Sequence, residues 1–217
     1  MKKVKVSSHF QRRAVGPMLL VASLSSLLAA TPAGAASPAA SACPDYFFLS
    51  DNLASNPGFE IPTADVAVGD TICWTSGDPS PPPSAAEGWT MHSSNAGAKV
   101  CSKLVPSKTP GPHGEYMLMF KAGGNEGGVY QALELPPDKA YMFSVWVYVK
   151  KGQVAIQSNT TTGGPVAWTS KIGEWEQLRV CTNSEYSTNA LVIANEDPDG
   201  GQFYVDRAEL REIPIRE

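Results

Sequence analysis

From residue 88 onward, apolar and polar positions alternate in short stretches, and no stretch sustains the i, i+3, i+4, i+7 spacing of an amphipathic helix. The pattern predicts strands over residues 88–91, 99–102, 115–121, 128–135, 140–150, 153–157, 165–169, 174–182, 190–194 and 202–212. Turn residues punctuate them at Gly123-Gly124-Asn125, Pro136-Pro137-Asp138, Lys151-Gly152, Gly163-Gly164-Pro165 and Asp197-Pro198-Asp199-Gly200. Many short strands at this spacing predict an all-β fold, a β-sandwich or jelly roll.

The most informative stretch runs from Tyr141 to Lys150. Successive side chains of a strand point to opposite faces. One face is therefore Tyr141, Phe143, Val145, Val147 and Val149, a core face. The other is Met142, Ser144, Trp146, Tyr148 and Lys150, where two large aromatics sit among polar groups. In 175–182, Leu178 and Val180 take the core side, which turns Gln177 and Arg179 outward. In 153–157, Val154 and Ile156 point inward and Gln157 outward. If these outer faces belong to one sheet, Trp146, Tyr148, Gln157, Gln177 and Arg179 form one aromatic and amide-lined surface. The competing arrangement covers Trp146 and Tyr148 with a loop or with the proline-rich segment 76–88.

Such a surface suits a sugar. An aromatic ring stacks on the apolar C–H face of a pyranose, while amides and a guanidinium satisfy its hydroxyls. Planar amides offer a donor and an acceptor in one group.

The chain begins differently. Lys2, Lys3, Lys5, Arg12 and Arg13 precede an apolar run over 17–30 and a tract of small residues, with no acidic residue before position 43. Basic, then apolar, then small is the order of a secretory signal. The apolar run is shorter than the roughly 20 residues that span a bilayer. Ala33-Gly34-Ala35 fits a cleavage site, and Gly34/Ala36 and Ala40/Ala42 fit it nearly as well, so the cut stays open among them. The boundaries expected are a cleavable signal peptide over 1–36, a short disordered linker over 37–45 and a β-sandwich over 46–217. The expected location is secreted, extracellular or at the cell envelope, with no membrane segment left after cleavage. Ala40-Ser41-Ala42-Cys43 also resembles a lipoprotein cleavage site.

Without the signal, twelve basic residues stand against twenty-one acidic ones, a net charge of −9. That balance argues against nucleic acid and against a strongly anionic polysaccharide as partners. Cys43, Cys73, Cys101 and Cys181 all follow the signal, and an even number in an oxidising compartment predicts two disulfides in one of three pairings.

The sequence carries no recognisable catalytic apparatus. Beyond the signal only His92 and His113 remain, both read as surface histidines, and no G-x-S-x-G occurs. The glycine-rich stretch 123–128 is not followed by a helical pattern, so it reads as a hairpin loop instead of a phosphate cradle.

Several segments in order carry a family resemblance: Asn56-Pro57-Gly58-Phe59-Glu60, Gly88-Trp89, Gly128-Val129-Tyr130-Gln131, 141–149, Glu174-Trp175, and Phe203-Tyr204-Val205-Asp206. Over residues 52–212 the chain resembles carbohydrate-binding modules of families 4, 9 and 22, the galactose-binding-like jelly rolls. The resemblance implies a non-catalytic domain that binds a polysaccharide or oligosaccharide. It also implies a structural Ca2+ held by Glu60 and Asp206 with backbone carbonyls, in keeping with the about six to eight oxygen ligands calcium takes. The alternative is an extracellular structural or adhesive sandwich that binds a protein partner.

Overall fold

The computed structural model describes residue 43 and residues 50–78, 83–107, 114–124, 126–136, 139–158, 165–181 and 190–214. The signal segment 1–36, the linker 37–45 apart from Cys43, His113 and the prolines at 79–82 lie outside the described residues.

Eleven strands form: β1 (Thr71–Thr75), β2 (Thr90–Ser93), β3 (Lys99–Pro106), β4 (Tyr116–Ala122), β5 (Gly127–Ala132), β6 (Ala140–Lys151), β7 (Val154–Gln157), β8 (Val166–Trp168), β9 (Trp175–Cys181), β10 (Ala190–Asn195) and β11 (Gly201–Ile213). They make two antiparallel sheets, a six-stranded one in the order β1-β3-β4-β11-β6-β9 and a five-stranded one in the order β2-β5-β10-β7-β8. The fold is an all-β jelly-roll sandwich.

All ten predicted strands are present, with shifted ends. β3 runs on to Pro106 because Leu104 continues the inward alternation of Val100 and Ser102. β5 stops at Ala132, while Leu133 and Leu135 pack against the core beyond the last pairing. The additional strand, β1, places only Ile72 and Trp74 inward, too short an alternation to stand out in the sequence.

The core lies between the sheets. Phe143, Val145, Val147 and Val149 of β6 are fully buried opposite Val129, Ile156, Leu191 and Ile193 of the second sheet, as the parity of each strand requires.

Two strands share the centre of the six-stranded sheet. β11 pairs along its length with β6, with an irregularity between Asp206 and Glu209. On its other side β11 pairs with β4 only from Gly201 to Val205. Beyond that point residues 50–57 replace β4. Leu53 N–H donates to Leu210 O at 2.8 Å and Ala208 N–H to Pro57 O at 2.7 Å. The Asn52 amide donates to Ala208 O at 3.1 Å and accepts from Leu210 N–H at 2.9 Å. One planar amide thus satisfies both a donor and an acceptor that the end of β4 leaves exposed.

The turn at 56–59 locks this segment to the core. Asn56 adopts φ 42°, and its side chain bonds the backbone of Ile61 and Glu87. Phe59 adopts φ 57°, uncommon for a bulky residue. That backbone costs on the order of 1–3 kcal/mol. The ring is fully buried 5.2 Å from Trp89, a burial that contributes about 1.5–3 kcal/mol.

The four cysteines pair as Cys43–Cys181 and Cys73–Cys101. Cys73 and Cys101 are opposite each other on β1 and β3, so the bridge pins the edge strand. Cys43 spends its thiol on Cys181, which leaves none for a lipid.

His92 departs from the surface setting expected of it. It is half-buried on β2, edge-on to Tyr130 with ring centroids 5.9 Å apart, and its Nε2 is buried without a hydrogen-bond partner among the described residues. Burial disfavours the imidazolium and lowers its pKa from 6.5 to about 4.

Two stability outcomes follow from these contacts. The loops closed by the disulfides span 138 and 28 residues. Replacing Cys43 and Cys181 by serine should therefore cost about 1.4 kcal/mol more, in urea unfolding, than the same change at Cys73 and Cys101. For His92, the unfolded chain takes up a proton near pH 6.5 and the folded chain only near pH 4. Its contribution is present above pH 6.5 and is lost as pH falls toward 4. Thermal melts over that window should decline less steeply for His92→Gln than for the parent, and parallel curves would refute the assignment.

Candidate functional site

The outer face of the six-stranded sheet carries a row of side chains set by the strand registers. Lys103 of β3 is opposite Met119 of β4, Met119 opposite Tyr204 of β11, Tyr204 opposite Tyr148 of β6, and Tyr148 opposite Trp175 of β9. Alternation explains why all five face outward: their strand neighbours Leu104, Leu118, Phe120, Phe203, Val205, Val147 and Val149 are taken into the core.

Tyr148 is the middle of the three rings in the row. Its ring lies 5.8 Å from Trp175 at an interplanar angle of 59° and 6.0 Å from Tyr204 at 68°. These are tilted contacts of the kind aromatic quadrupoles favour, and they fix each ring through its neighbour. The three rings, with Met117, Lys103 and Val105, line a groove of about 440 Å3 that crosses the strands toward the β1 edge. The backbone beneath the rings is held in ladder hydrogen bonds, so the rings are displayed on a preorganised platform.

Of the residues predicted to share a surface, Trp146, Tyr148, Gln177 and Arg179 do lie on this face, and Trp146 is directly opposite Gln177. Trp146 and Tyr148 are both partly exposed. Arg179 donates from Nε and Nη2 to Gln177 Oε1 at 3.2 and 2.7 Å, which orients the amide.

Gln157 is a correction. It belongs to β7 in the five-stranded sheet, between Val192 and Val166, on the opposite outside of the sandwich. Its outward orientation follows from alternation, but the chain crosses between sheets after Lys151, and alternation carries no information about sheet membership.

The groove contains two rings that sequence reasoning did not assign. Trp175 has the same parity as Gln177 and Arg179, and Tyr204 lies between the core residues Phe203 and Val205. Each could have been read outward from those neighbours. Their convergence on Tyr148 depends on register.

Glu60 binds the backbone at the beginning of β4, in the same sheet whose strand β11 carries Asp206. Glu60 accepts from Glu115 N–H at 3.0 Å and from Tyr116 N–H at 3.3 Å. Gly114, at φ 112°, leaves space for that carboxylate, and a Cβ there would fall on Glu60 Oε1. Asp206 is fully buried, and its Oδ1 accepts from Arg207 N–H at 2.7 Å. Continuing the β4–β11 register by one step sets Asp206 against Met117, next to Tyr116. Among the described residues no group of three or more His, Cys, Asp or Glu gathers as a metal site.

The sequence matches no protein-family model and no curated protein. Solved structures do resemble it. A CBM61 structure in complex with β-1,4-galactotriose is 21% identical, covers 76% of this chain and 100% of its own, and has a TM-score of 0.45. The CBM22-1 xylan-binding domain from Paenibacillus barcinonensis Xyn10C is 12% identical over 70% of this chain and 99% of its own, with a TM-score of 0.43. A family 11 carbohydrate-binding module of a Clostridium thermocellum cellulosomal cellulase is 16% identical over 70% and 98%, with a TM-score of 0.41.

Proposed function

We propose that the protein is a secreted, non-catalytic carbohydrate-binding domain that takes an oligosaccharide or polysaccharide chain across the outer face of its six-stranded sheet. The observation that carries the reading is the aromatic row. Tyr148, Trp175 and Tyr204 converge in one groove and are each partly exposed, as rings that meet a ligand are. Pyranose C–H faces stack on such rings, and the tyrosine hydroxyls, the Gln177 NH2 and the Arg179 guanidinium offer partners for sugar hydroxyls. The basic-apolar-small beginning of the sequence and the two disulfides support export.

A structural calcium at Glu60 and Asp206 is part of the same reading: the resemblance carried by Asn56-Pro57-Gly58-Phe59-Glu60 and Phe203-Tyr204-Val205-Asp206 supports it, and carboxylate oxygens are donors that calcium takes.

The binding reading is tested by affinity electrophoresis and pull-down of the purified protein against soluble and insoluble polysaccharides. One glycan class should retain it, and Trp175→Ala or Tyr148→Ala should weaken that retention by about tenfold, or about 1.4 kcal/mol. Failure of a cooperatively folded protein to bind any glycan would sink the reading and favour a protein partner. Calcium is tested separately: chelator should lower the melting temperature of the parent but not of Asp206→Asn, and identical melts of the parent with and without calcium would exclude the ion.

A further inference from the structure

The groove face has a charge unlike that of the rest of the chain. Beyond residue 42 the sequence is acidic, with twelve basic residues against twenty-one acidic. Yet the outward positions of β3, β4 and β6 include Lys99, Lys103, Lys121 and Lys150, and none of these four makes an ion pair with a described residue. Only two carboxylates point out of the same sheet from its strands. Asp206 is fully buried, and Glu209 is engaged by Arg207 at 2.6 Å and Arg211 at 3.5 Å. None of the residues lining the groove is acidic, and Lys103 lies among them.

Resting on the glycan-binding reading, we propose that the ligand is an acidic glycan, one whose uronic-acid carboxylates meet Lys103 and Lys121 while its pyranose faces stack on Tyr204, Tyr148 and Trp175. The register gives this arrangement its dimensions. Lys103 and Trp175 end a row of five strands, about 19 Å at the usual strand spacing and several pyranose rings long. Lys121 is diagonal to Lys103, about 7–8 Å away. Lys150 follows Tyr148 on the same face of β6. Lysine is a mobile point charge, and a set of them accepts carboxylates without demanding one bidentate geometry.

The overall negative charge opposes this association less than its size suggests. At physiological ionic strength charges are screened over about 8 Å. The sheets of a sandwich are about 10 Å apart, so carboxylates on the far face lie beyond the screening length from a ligand on this one. The groove lining itself supplies Lys103 and no carboxylate.

The test compares each of polygalacturonate, alginate and glucuronoxylan with its own carboxyl-reduced counterpart, by affinity electrophoresis and calorimetry on the purified protein. At least one uronate-bearing glycan should bind more tightly than its reduced form by about tenfold or more. That advantage should disappear when ionic strength is raised from about 0.15 to about 1 M, where screening shortens to about 3 Å. Lys121→Gln, outside the groove lining, should weaken the acidic ligand by about three- to tenfold and leave the reduced one unchanged, and Lys103→Gln should weaken the acidic ligand more than the reduced one. Equal binding of both forms, or a preference for neutral glycans, would overturn the charge assignment and leave the glycan-binding reading standing. Binding of neither form nor of any neutral polysaccharide would overturn both.

Discussion

The pairing of β11 with β6 is the constraint on which the molecule depends, because one register serves both faces of the sheet. Val205 opposite Val147 and Phe203 opposite Val149 build the core, and the intervening pair, Tyr204 opposite Tyr148, builds the groove. A slip of one residue would put the tyrosines inside and the valines in water, so the hydrophobic energy of the core specifies the placement of the rings. The irregularity between Asp206 and Glu209 preserves this logic over the second half of the strand. β11 contributes one extra residue there, with Arg207 at φ 49°, and its buried positions change from Phe203 and Val205 to Ala208 and Leu210. Parity reverses along β11 at the bulge, but Leu210 still meets Phe143 in the core.

That parity is also what made the fold legible. Alternation in 140–150 and 174–182 separates inward from outward side chains without any structure, and the reversal along β11 is itself visible as Phe203 and Val205 followed by Ala208 and Leu210. Alternation is local, however, and sheet order is not. Gln157 was read with the correct orientation and assigned to the wrong layer, because the Lys151-Gly152 turn that carries β7 into the second sheet looks like any hairpin. For the same reason Trp175 and Tyr204 could be read as outward but not as neighbours of Tyr148. The disulfide pairing shows the same limit, since Cys73 and Cys101 are opposite each other only once β1 is known to be a strand.

Charge illustrates the difference between a sum and a distribution. Net charge governs long-range encounter and solubility, and on that measure an acidic chain repels polyanions. A ligand in contact with the protein samples only what lies within a screening length. Here the strand registers gather lysines on the outer positions of β3, β4 and β6, while Asp206 is buried and Glu209 is committed to two arginines. Composition could not reveal this segregation, which needs both the parity of each strand and the order of strands in the sheet.

The corner formed by residues 50–60 ties these features to the ends of the domain. Asn52 and Pro57 complete the hydrogen bonding of β11 where β4 stops, Phe59 accepts an unfavourable backbone to reach Trp89, and Glu60 holds the amides that begin β4. Asp206 leaves the same stretch of β11 directly opposite Trp146 and two residues from Tyr204. Any charge that compensates Asp206 therefore acts on the strand that displays the central tyrosine pair. A shift of β11 at that corner would be transmitted along a continuous ladder to Tyr204, since β4 and β6 hold the strand between them from Gly201 to Val205 and leave it no independent freedom. Residues 50–60 and β11 thus form one mechanical unit with the groove, and the placement of the aromatic platform is a property of that closure as much as of the rings.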